Sequence, residues 1–336
     1  AKVVVVNGYD RKVIKKVLPD ALEDAENGIF TTLVVTGVCI RKMPKSAYGI
    51  KMAVDEETCV QCGLCQICPG IQADKEGLPS YNNFCSGCVS QGSACAQMCP
   101  VGALVPAGAP KKTAATVEMA TPPDDIILPD KETLNLPEKL AVAIRGVGGQ
   151  GNLFFGRVLT QLAFLAGYGD TNVVKGETHG MAQMGGPVIS TFSCGNVCSP
   201  SLLPGTADCL VSMELSEVLR SGFINMLKPG GTILLAKTKV YPYGVDEDSY
   251  PTNEQILAPL STYNVVEADV LEQAIALGDD SGRSANVVMM GALSTLSPFS
   301  DFPSEFWHQA LKNVSPKPAI WAANYAAFTA GQKLLS

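Results

Sequence analysis

The pattern of hydrophobic and polar positions divides the chain into four stretches. From residue 138 onward, short β-branched or apolar runs alternate with segments of helical spacing. KLAVAI at 139–144, VISTFSC at 188–194, ADCLVSME at 207–214, TILLA after residue 231 and YNVVEAD at 263–269 read as strands. NLFFGRVLTQLAFLAG at 152–167 carries apolar residues on most faces and predicts a well-buried helix. LSEVLRSGFINML at 215–227 and VLEQAIAL at 270–277 have helical spacing, and the small apolar span 284–297 predicts another buried helix. RGVGGQG at 145–151 is expected to turn from strand into helix, and Lys228-Pro229-Gly230-Gly231 to form a turn. This alternation predicts an α/β domain over 138–336, a mostly parallel sheet with helices layered over it.

Before residue 138 the pattern is weaker. Residues 1–50 form an N-terminal extension with a strand at KVVVV (2–6), closed by Asn7-Gly8, a helix over 11–26 that Pro19 obstructs, and a strand in TTLVVTGVCI (31–40). Such an extension either wraps a partner or enlarges the next domain. Residues 51–105 have few long apolar runs, so a domain this small needs metal or disulfides to hold it. Residues 106–137 contain Pro106, Pro110, Pro122, Pro123, Pro129 and Pro137 and read as a linker stiffened toward an extended form. A linker of this kind can also pack as a strap on the neighbouring domain.

Composition narrows the class. With 46% apolar residues in 336, the chain can bury a sizeable core and is too apolar for a disordered protein. Its 17% charged residues fall below the usual ~25%, as expected where much of the surface faces other protein. A net charge of -7 argues against a basic nucleic-acid stripe. No run of 18 apolar residues occurs, so no membrane span is expected, and the quickly charged opening AKVVVVNGYDRK is not expected to act as a signal peptide. Of twelve cysteines, eight lie between Cys59 and Cys99; the others are Cys39, Cys194, Cys198 and Cys209. A dense stretch followed by a sparse one favours a reduced cytoplasm and a metal-binding domain over a secreted disulfide scaffold.

The dense stretch has two runs. Cys59, Cys62, Cys65 and Cys68 are each separated by two residues, and Cys68 precedes Pro69. Cys85 and Cys88 are followed by Cys95 and then by Cys99, which precedes Pro100. The bacterial pattern for a pair of [4Fe–4S] clusters is C-x2-C-x2-C-x3-C-P, with the fourth cysteine of each run ligating the other cluster. Carried over position by position, cluster one takes Cys59, Cys62, Cys65 and Cys99, and cluster two takes Cys85, Cys88, Cys95 and Cys68. The chain departs from that pattern in the shorter spacing before Cys68 and in the insertion before Cys95. Structural zinc, which eight thiolates could hold as two ions, and a disulfide knot are the competing readings. The acidic residues Asp55, Glu56, Glu57, Asp74 and Glu76 form either an ordinary solvated rim or a negative field that lowers cluster potentials.

Gly146-Val147-Gly148-Gly149-Gln150-Gly151 offers an anion site at a helix N-terminus or a tight turn pressed against a partner. Asp170 and Glu177 are the acids available for a ribose, but neither ends a second strand cleanly. Glu177, His179 and Gln183 share a polar loop that either locks an interface or exchanges protons through His179. Met181 and Met184 read as packing contacts, and His308 beside Trp307 as an incidental residue of a surface-like helix. Cys194 and Cys198 read as free thiols at a buried interface, Cys39 and Cys209 as single core thiols.

GVGGQG at 146–151, GETHGMAQMGGPVIS at 176–190 and CSP at 198–200 resemble the gamma subunit of the 2-oxoacid:ferredoxin oxidoreductases, which include pyruvate, 2-oxoisovalerate, indolepyruvate and phenylglyoxylate enzymes. ADCLVSMELSEVLR at 207–220, KPGG at 228–231 and NYAAFTAG at 324–331 extend that resemblance. The cysteine-rich stretch resembles the delta subunit, a two-cluster ferredoxin, so the order is delta then gamma over about 50 to 336. Met184 departs from the Arg that family members often carry there. The resemblance implies a gamma-type three-layer α/β domain preceded by a small α+β bacterial-type 2[4Fe–4S] ferredoxin domain. It further implies a subunit without catalytic residues of its own, serving an anaerobic complex that oxidatively decarboxylates a 2-oxoacid, usually to an acyl-CoA. Thiamine diphosphate, Mg2+ and a further [4Fe–4S] cluster then belong to alpha and beta partners, CoA is a substrate of the complex, and electrons leave for ferredoxin or an NAD(P)- or flavin-linked acceptor. The runner-up is a ferredoxin-like carrier with a docking domain; a third reading makes 138–336 a nucleotide-binding dehydrogenase domain.

Overall fold

A computed structural model describes residues 1–38, 48–82, 85, 87–89, 93–107, 115–169, 172–177, 186–241, 249–279 and 282–335. The chain divides into two compact units, the first over Ala1–Lys111 and the second over most of Lys112–Ser336.

The first unit opens with a βαβ crossover. β1 (Lys2–Asn7) and β2 (Thr31–Thr36) pair in parallel, joined by helix α1 (Arg11–Glu26). Asp10 caps α1 through the Val13 N–H, and the helix runs through Pro19 rather than stopping there. Val3 and Val5, whose side chains leave one face of β1, are 67% and 63% exposed, so this two-stranded sheet is covered on one side only. Three further antiparallel pairs follow: β3 (Tyr48–Ile50) with β7 (Cys88–Val89), β4 (Met52–Val54) with β8 (Leu104–Pro106), and β5 (Ile71–Ala73) with β6 (Pro79–Tyr81). A five-residue helix, α2 (Ala94–Met98), sits between β7 and β8. The apolar core here is small, with Cys65, Ile71, Cys95 and Leu104 at its centre. Two of those four are cysteines, so apolar burial alone contributes little.

The second unit is built on a six-stranded sheet. Its strands are β9 (Lys139–Val147), β10 (Val173–Glu177), β11 (Pro187–Gly195), β12 (Ala207–Ser212), β13 (Leu227–Ala236) and β14 (Asn264–Ala268), in the spatial order β10-β11-β9-β12-β13-β14. The pairings β9–β12, β12–β13 and β13–β14 are parallel; β10–β11 and β11–β9 are antiparallel. Alternation along the strands feeds two cores. Leu140, Val142, Ile144, Val211 and Leu234 face one side, Ala143, Leu210, Ile233 and Leu235 the other. Central β12 is buried at every position, as a parallel strand covered on both faces must be.

One face carries α3 (Asn152–Leu165), α5 (Val270–Ala276), α6 (Ala285–Leu293), α7 (Ser304–Val314) and α8 (Pro318–Leu334), the other α4 (Asn253–Leu257) and three short 3-10 turns. The α/β expectation for 138–336 therefore describes the architecture, while three local expectations are corrected. The helix expected over 215–227 is instead two 3-10 turns, Ser216–Leu219 and Ile224–Met226, because Arg220 is extended and Gly222 takes φ +80° between them. The turn expected at 228–231 is an irregularity within β13, where Lys228 pairs with Asp208, whose other oxygen accepts the Ala141 N–H at 2.7 Å. Gly231 has no room for a side chain there: a Cβ would stand 2.9 Å from the Asp208 carbonyl oxygen. Helix α7 is no surface helix on its inner side, since Trp307 is fully buried.

The proline-rich stretch does pack on the second unit from residue 115 on. Thr116 donates its N–H to Ala276 O at 2.8 Å, Ile126, Leu134 and Leu136 press on the larger core, and the Tyr168 hydroxyl donates to Pro137 O at 2.6 Å. Among the described residues no helix is long and apolar enough to cross a membrane.

His308 lies half-buried between Tyr325 and Phe328, at ring distances of 4.8 and 5.5 Å. Loss of hydration pushes its imidazole below the ordinary value, outweighing the opposing charge of Glu305. A depressed folded value means the unfolded chain takes up the proton first. Stability is therefore full above about pH 6.5, the unfolded imidazole's value, and falls as the pH drops from there through the lower folded value. Urea denaturation of His308→Phe beside the native chain between pH 7 and 5 should show the native chain losing more stability; parallel losses would refute the assignment.

Candidate functional site: the cysteine cage

The first cysteine run is a loop with two left-handed turns. Gln61 takes φ +53° and Gly63 φ +71°, and the loop closes with Gln66 N–H on Gly63 O at 3.1 Å. Gln61 is the only non-glycine residue at positive φ among the described residues, and left-handed backbone there turns the chain around whatever the flanking thiols face. The loop is tied to β8 through Asp55, whose N–H reaches Ala103 O at 2.8 Å and whose carbonyl accepts the Cys59 N–H at 3.0 Å.

Cys59, Cys62 and Cys65 of this loop line one recess with Cys99, which follows α2, and with Val101, Ala103 and Leu104 beyond it. Burial acts to raise the Cys99 thiol but is outweighed by the backbone N–H groups of Val101, Ala103, Leu104 and Gly102, which hold it below the ordinary range. The Ala103 N–H reaches its sulfur at 3.2 Å. Cys65, deeper, is pushed up to about 11 by burial and then by the neighbouring charges of Cys62, Cys59 and Cys95.

Of the other four cysteines, Cys95 is buried, Cys85 half-buried, and Cys68 and Cys88 are exposed as residues although their sulfurs lose hydration. Cys68 is pushed above the ordinary value by burial, then by the charges of Cys95, Cys88 and Cys85. Cys88 is raised by burial and by Cys95 and Cys85. Gly70 explains how Cys68 and Cys85 come together: a Cβ at Gly70 would stand 2.8 Å from Cys85 Cα and 2.9 Å from its nitrogen, so only glycine lets the second run lie against the first. Ser93 caps α2 by accepting the Ala96 N–H at 3.3 Å, which sets Cys95 in the first turn. The Tyr81 hydroxyl lies 3.2 Å from Cys95 Sγ. Burial, then that contact, pushes the Tyr81 phenol well above its ordinary value, so it stays protonated. The spacing of the chain pointed to the cysteines; nothing in it pointed to Tyr81.

All eight thiols are unbridged. Among the described residues no group of three or more His, Cys, Asp or Glu side chains is set to grip a metal ion. The side chains are all sulfur; Cys99 accepts the Ala103 N–H and Cys95 lies against the Tyr81 and Ser93 hydroxyls, a chemistry that fits soft metal ligation.

The remaining candidates separate. The glycine loop is largely satisfied from within. Gln150 accepts the Val147 N–H at 2.9 Å and donates to Met213 O at 2.8 Å, and the Gly148 N–H reaches Gly186 O at 2.7 Å. Its own side chains fill the turn, which favours the tight-turn reading over a phosphate cradle. Glu177 lies in β10 and pairs with Lys175 at 2.6 Å. Asp170, His179, Met181, Gln183, Met184 and Cys39 lie outside the described residues. Cys194 and Cys209 are buried in the sheet and both are pushed up to about 12, chiefly by burial, whereas Cys198 is exposed.

Comparison with known proteins bears on the second unit. The chain is 34% identical over 159 residues to the indolepyruvate oxidoreductase subunit IorB of Archaeoglobus fulgidus, covering 46% of this chain and 76% of that one. It is 33% identical over 202 residues to the subunit of the same name in Thermococcus kodakarensis, covering 57% and 94%. Among solved structures, the gamma subunit of a keto/oxoacid ferredoxin oxidoreductase from Geobacter sulfurreducens PCA aligns with 58% of this chain and 98% of its own length, at 21% identity and a TM-score of 0.41. Its sequence relatives make the chain homologous to a subunit of a multi-subunit 2-oxoacid oxidoreductase, which is consistent with its being catalytically incomplete alone. Residues 141–334 match the model of the pyruvate ferredoxin/flavodoxin oxidoreductase family, and the chain belongs to that family.

Proposed function

We propose that this chain is the electron-transfer and structural subunit, delta and gamma in one polypeptide, of a thiamine diphosphate-dependent 2-oxoacid:acceptor oxidoreductase. The observation that carries the reading is that a unit belonging to the family shares its chain with eight unbridged thiols, four of which, Cys59, Cys62, Cys65 and Cys99, line one recess. Cys59, Cys62, Cys65 and Cys99 would hold one [4Fe–4S] cluster, and Cys68, Cys85, Cys88 and Cys95 the other. A cube is held at four separate corners, whereas a zinc ion needs every sulfur about 2.3 Å from one point. When bound, the clusters supply one-electron transfer.

The chain's own residues then do the rest. With clusters bound, the Ala103 N–H and the Tyr81 hydroxyl would stabilise negative charge on Cys99 and Cys95, and the small core of the first unit would keep water from Cys65 and Cys95. The second unit would dock the alpha and beta subunits, which carry thiamine diphosphate, Mg2+ and a further [4Fe–4S] cluster. Electrons would pass to ferredoxin or an NAD(P)- or flavin-linked acceptor, and CoA would take the acyl group elsewhere in the complex. Names of the IorB type among the relatives favour an aryl 2-oxoacid such as indolepyruvate.

Anaerobic purification with identification of co-purifying chains tests the partnership. About eight iron and eight labile sulfide per chain are expected from two cubes, and Cys59→Ala should reduce the iron to about four. Zinc in place of iron, or an unchanged two-cluster paramagnetic resonance spectrum in Cys59→Ala, would defeat the assignment.

A further inference from the structure

The sulfur of Cys95 sits between two side-chain hydroxyls. Tyr81, at the end of β6, places its hydroxyl 3.2 Å from Cys95 Sγ, and Ser93 Oγ lies 3.3 Å away on the other flank. Cys95 is the hydrogen-bond partner found for the Tyr81 hydroxyl among the described residues, and the ring packs into the small core formed by Cys65, Ile71 and Leu104. A ligating thiolate has no proton and only accepts, so a hydroxyl at this distance donates to it. Donation to a ligand sulfur is worth more in the reduced, more negative cluster than in the oxidised one, and so raises the reduction potential.

We propose that Tyr81 is a positioning and tuning residue that raises the reduction potential of the cluster held by Cys68, Cys85, Cys88 and Cys95, and so helps set the order in which the two clusters fill with electrons. This rests on the cluster reading above. Ser93 Oγ accepts the Ala96 N–H as the helix cap and, in the thiol form, the Cys95 S–H, so its share is read separately in Ser93→Ala. Cys99 of the other set takes its hydrogen bond from the backbone of Ala103, which no side-chain substitution removes. Tyr81 is therefore a means by which sequence change can separate the two potentials.

The test is Tyr81→Phe in the full chain with its partners, prepared without oxygen and titrated under potential control with paramagnetic resonance as readout. Phenylalanine keeps the ring and removes the donor. Iron content should match the native chain, and one midpoint should fall by about tenfold in the reduction equilibrium constant, ~59 mV for a one-electron couple, while the other stays. An exchangeable deuteron coupled to that cluster in heavy water should vanish in Tyr81→Phe and persist in Ser93→Ala. Unmoved midpoints at full iron, equal movement of both, or loss of iron from Tyr81→Phe alone would each overturn the proposal. A native chain that never holds iron would instead overturn the cluster reading itself.

Discussion

Gly331→Ala is expected to destabilise the second unit by at least about 3 kcal/mol, at the upper end of what overpacking a filled interior costs. Helices α6 and α8 touch backbone to backbone. A Cβ at Gly331 would stand 1.9 Å from Val288 O, and one at Gly291 would stand 2.0 Å from Phe328 O. Neither position has room to give. Every residue of α6 is buried, so the helix cannot retreat without displacing Leu293 or Met289 from the core. Gln332, next to Gly331, ties the pair further by donating to Ser294 Oγ at the end of α6 at 3.4 Å. In an exposed helix the same substitution would stabilise by about 1 kcal/mol, because glycine is the poorer helix former. The sign of the measured change thus separates the two effects. Urea denaturation followed by far-ultraviolet circular dichroism is the measurement, and an unchanged or higher midpoint would show that the helices part freely.

Glu214→Ala should be of similar size. Glu214 is 1% exposed and lies just after β12. Its carboxylate accepts from the Glu217 N–H at 2.9 Å, the Val240 N–H at 3.1 Å, the Ser216 hydroxyl at 2.7 Å and the Tyr250 hydroxyl. Removing it leaves two backbone donors in the interior without an acceptor, at roughly 1–3 kcal/mol each, and opens a void. A loss of about 4 kcal/mol follows. Tyr250→Phe removes a single donor and should cost only about 1 kcal/mol. If both variants cost the same, the carboxylate is not the hub of this network. The polar segment that joins β12 to the first 3-10 turn is thereby a structural brace, and its acids need no catalytic task.

Short β-branched or apolar runs bounded by turn residues made β9, β11, β12 and β14 legible. The segment 215–227 misled for a physical reason. Val218, Phe223 and Leu227 have to face inward, and a pair of 3-10 turns joined at Gly222 buries them as a continuous helix would. Strand β10 was hidden by Lys175, Gly176 and Glu177, whose charges and glycine suit the sheet edge but dilute the apolar signal. In the first unit the cysteine spacing marked the thiols, since a ligand loop is written locally. The pairing of β1 with β2 was not legible, because it depends on a crossover that brings residues about thirty apart into register. Tyr81 stayed invisible for the same reason: only the β5–β6 hairpin carries it to a sulfur fourteen positions away.

The strap has a practical bearing on how the molecule can be dissected. Ile126, Leu134 and Leu136 supply apolar cover to the larger core, and Pro137 supplies the acceptor for Tyr168. Excising the second half at residue 138, where its first strand begins to be visible in the sequence, would peel that cover away and leave a sticky flank. A cut near residue 112 keeps the wrapping on and yields the piece suited to binding studies with isolated partners.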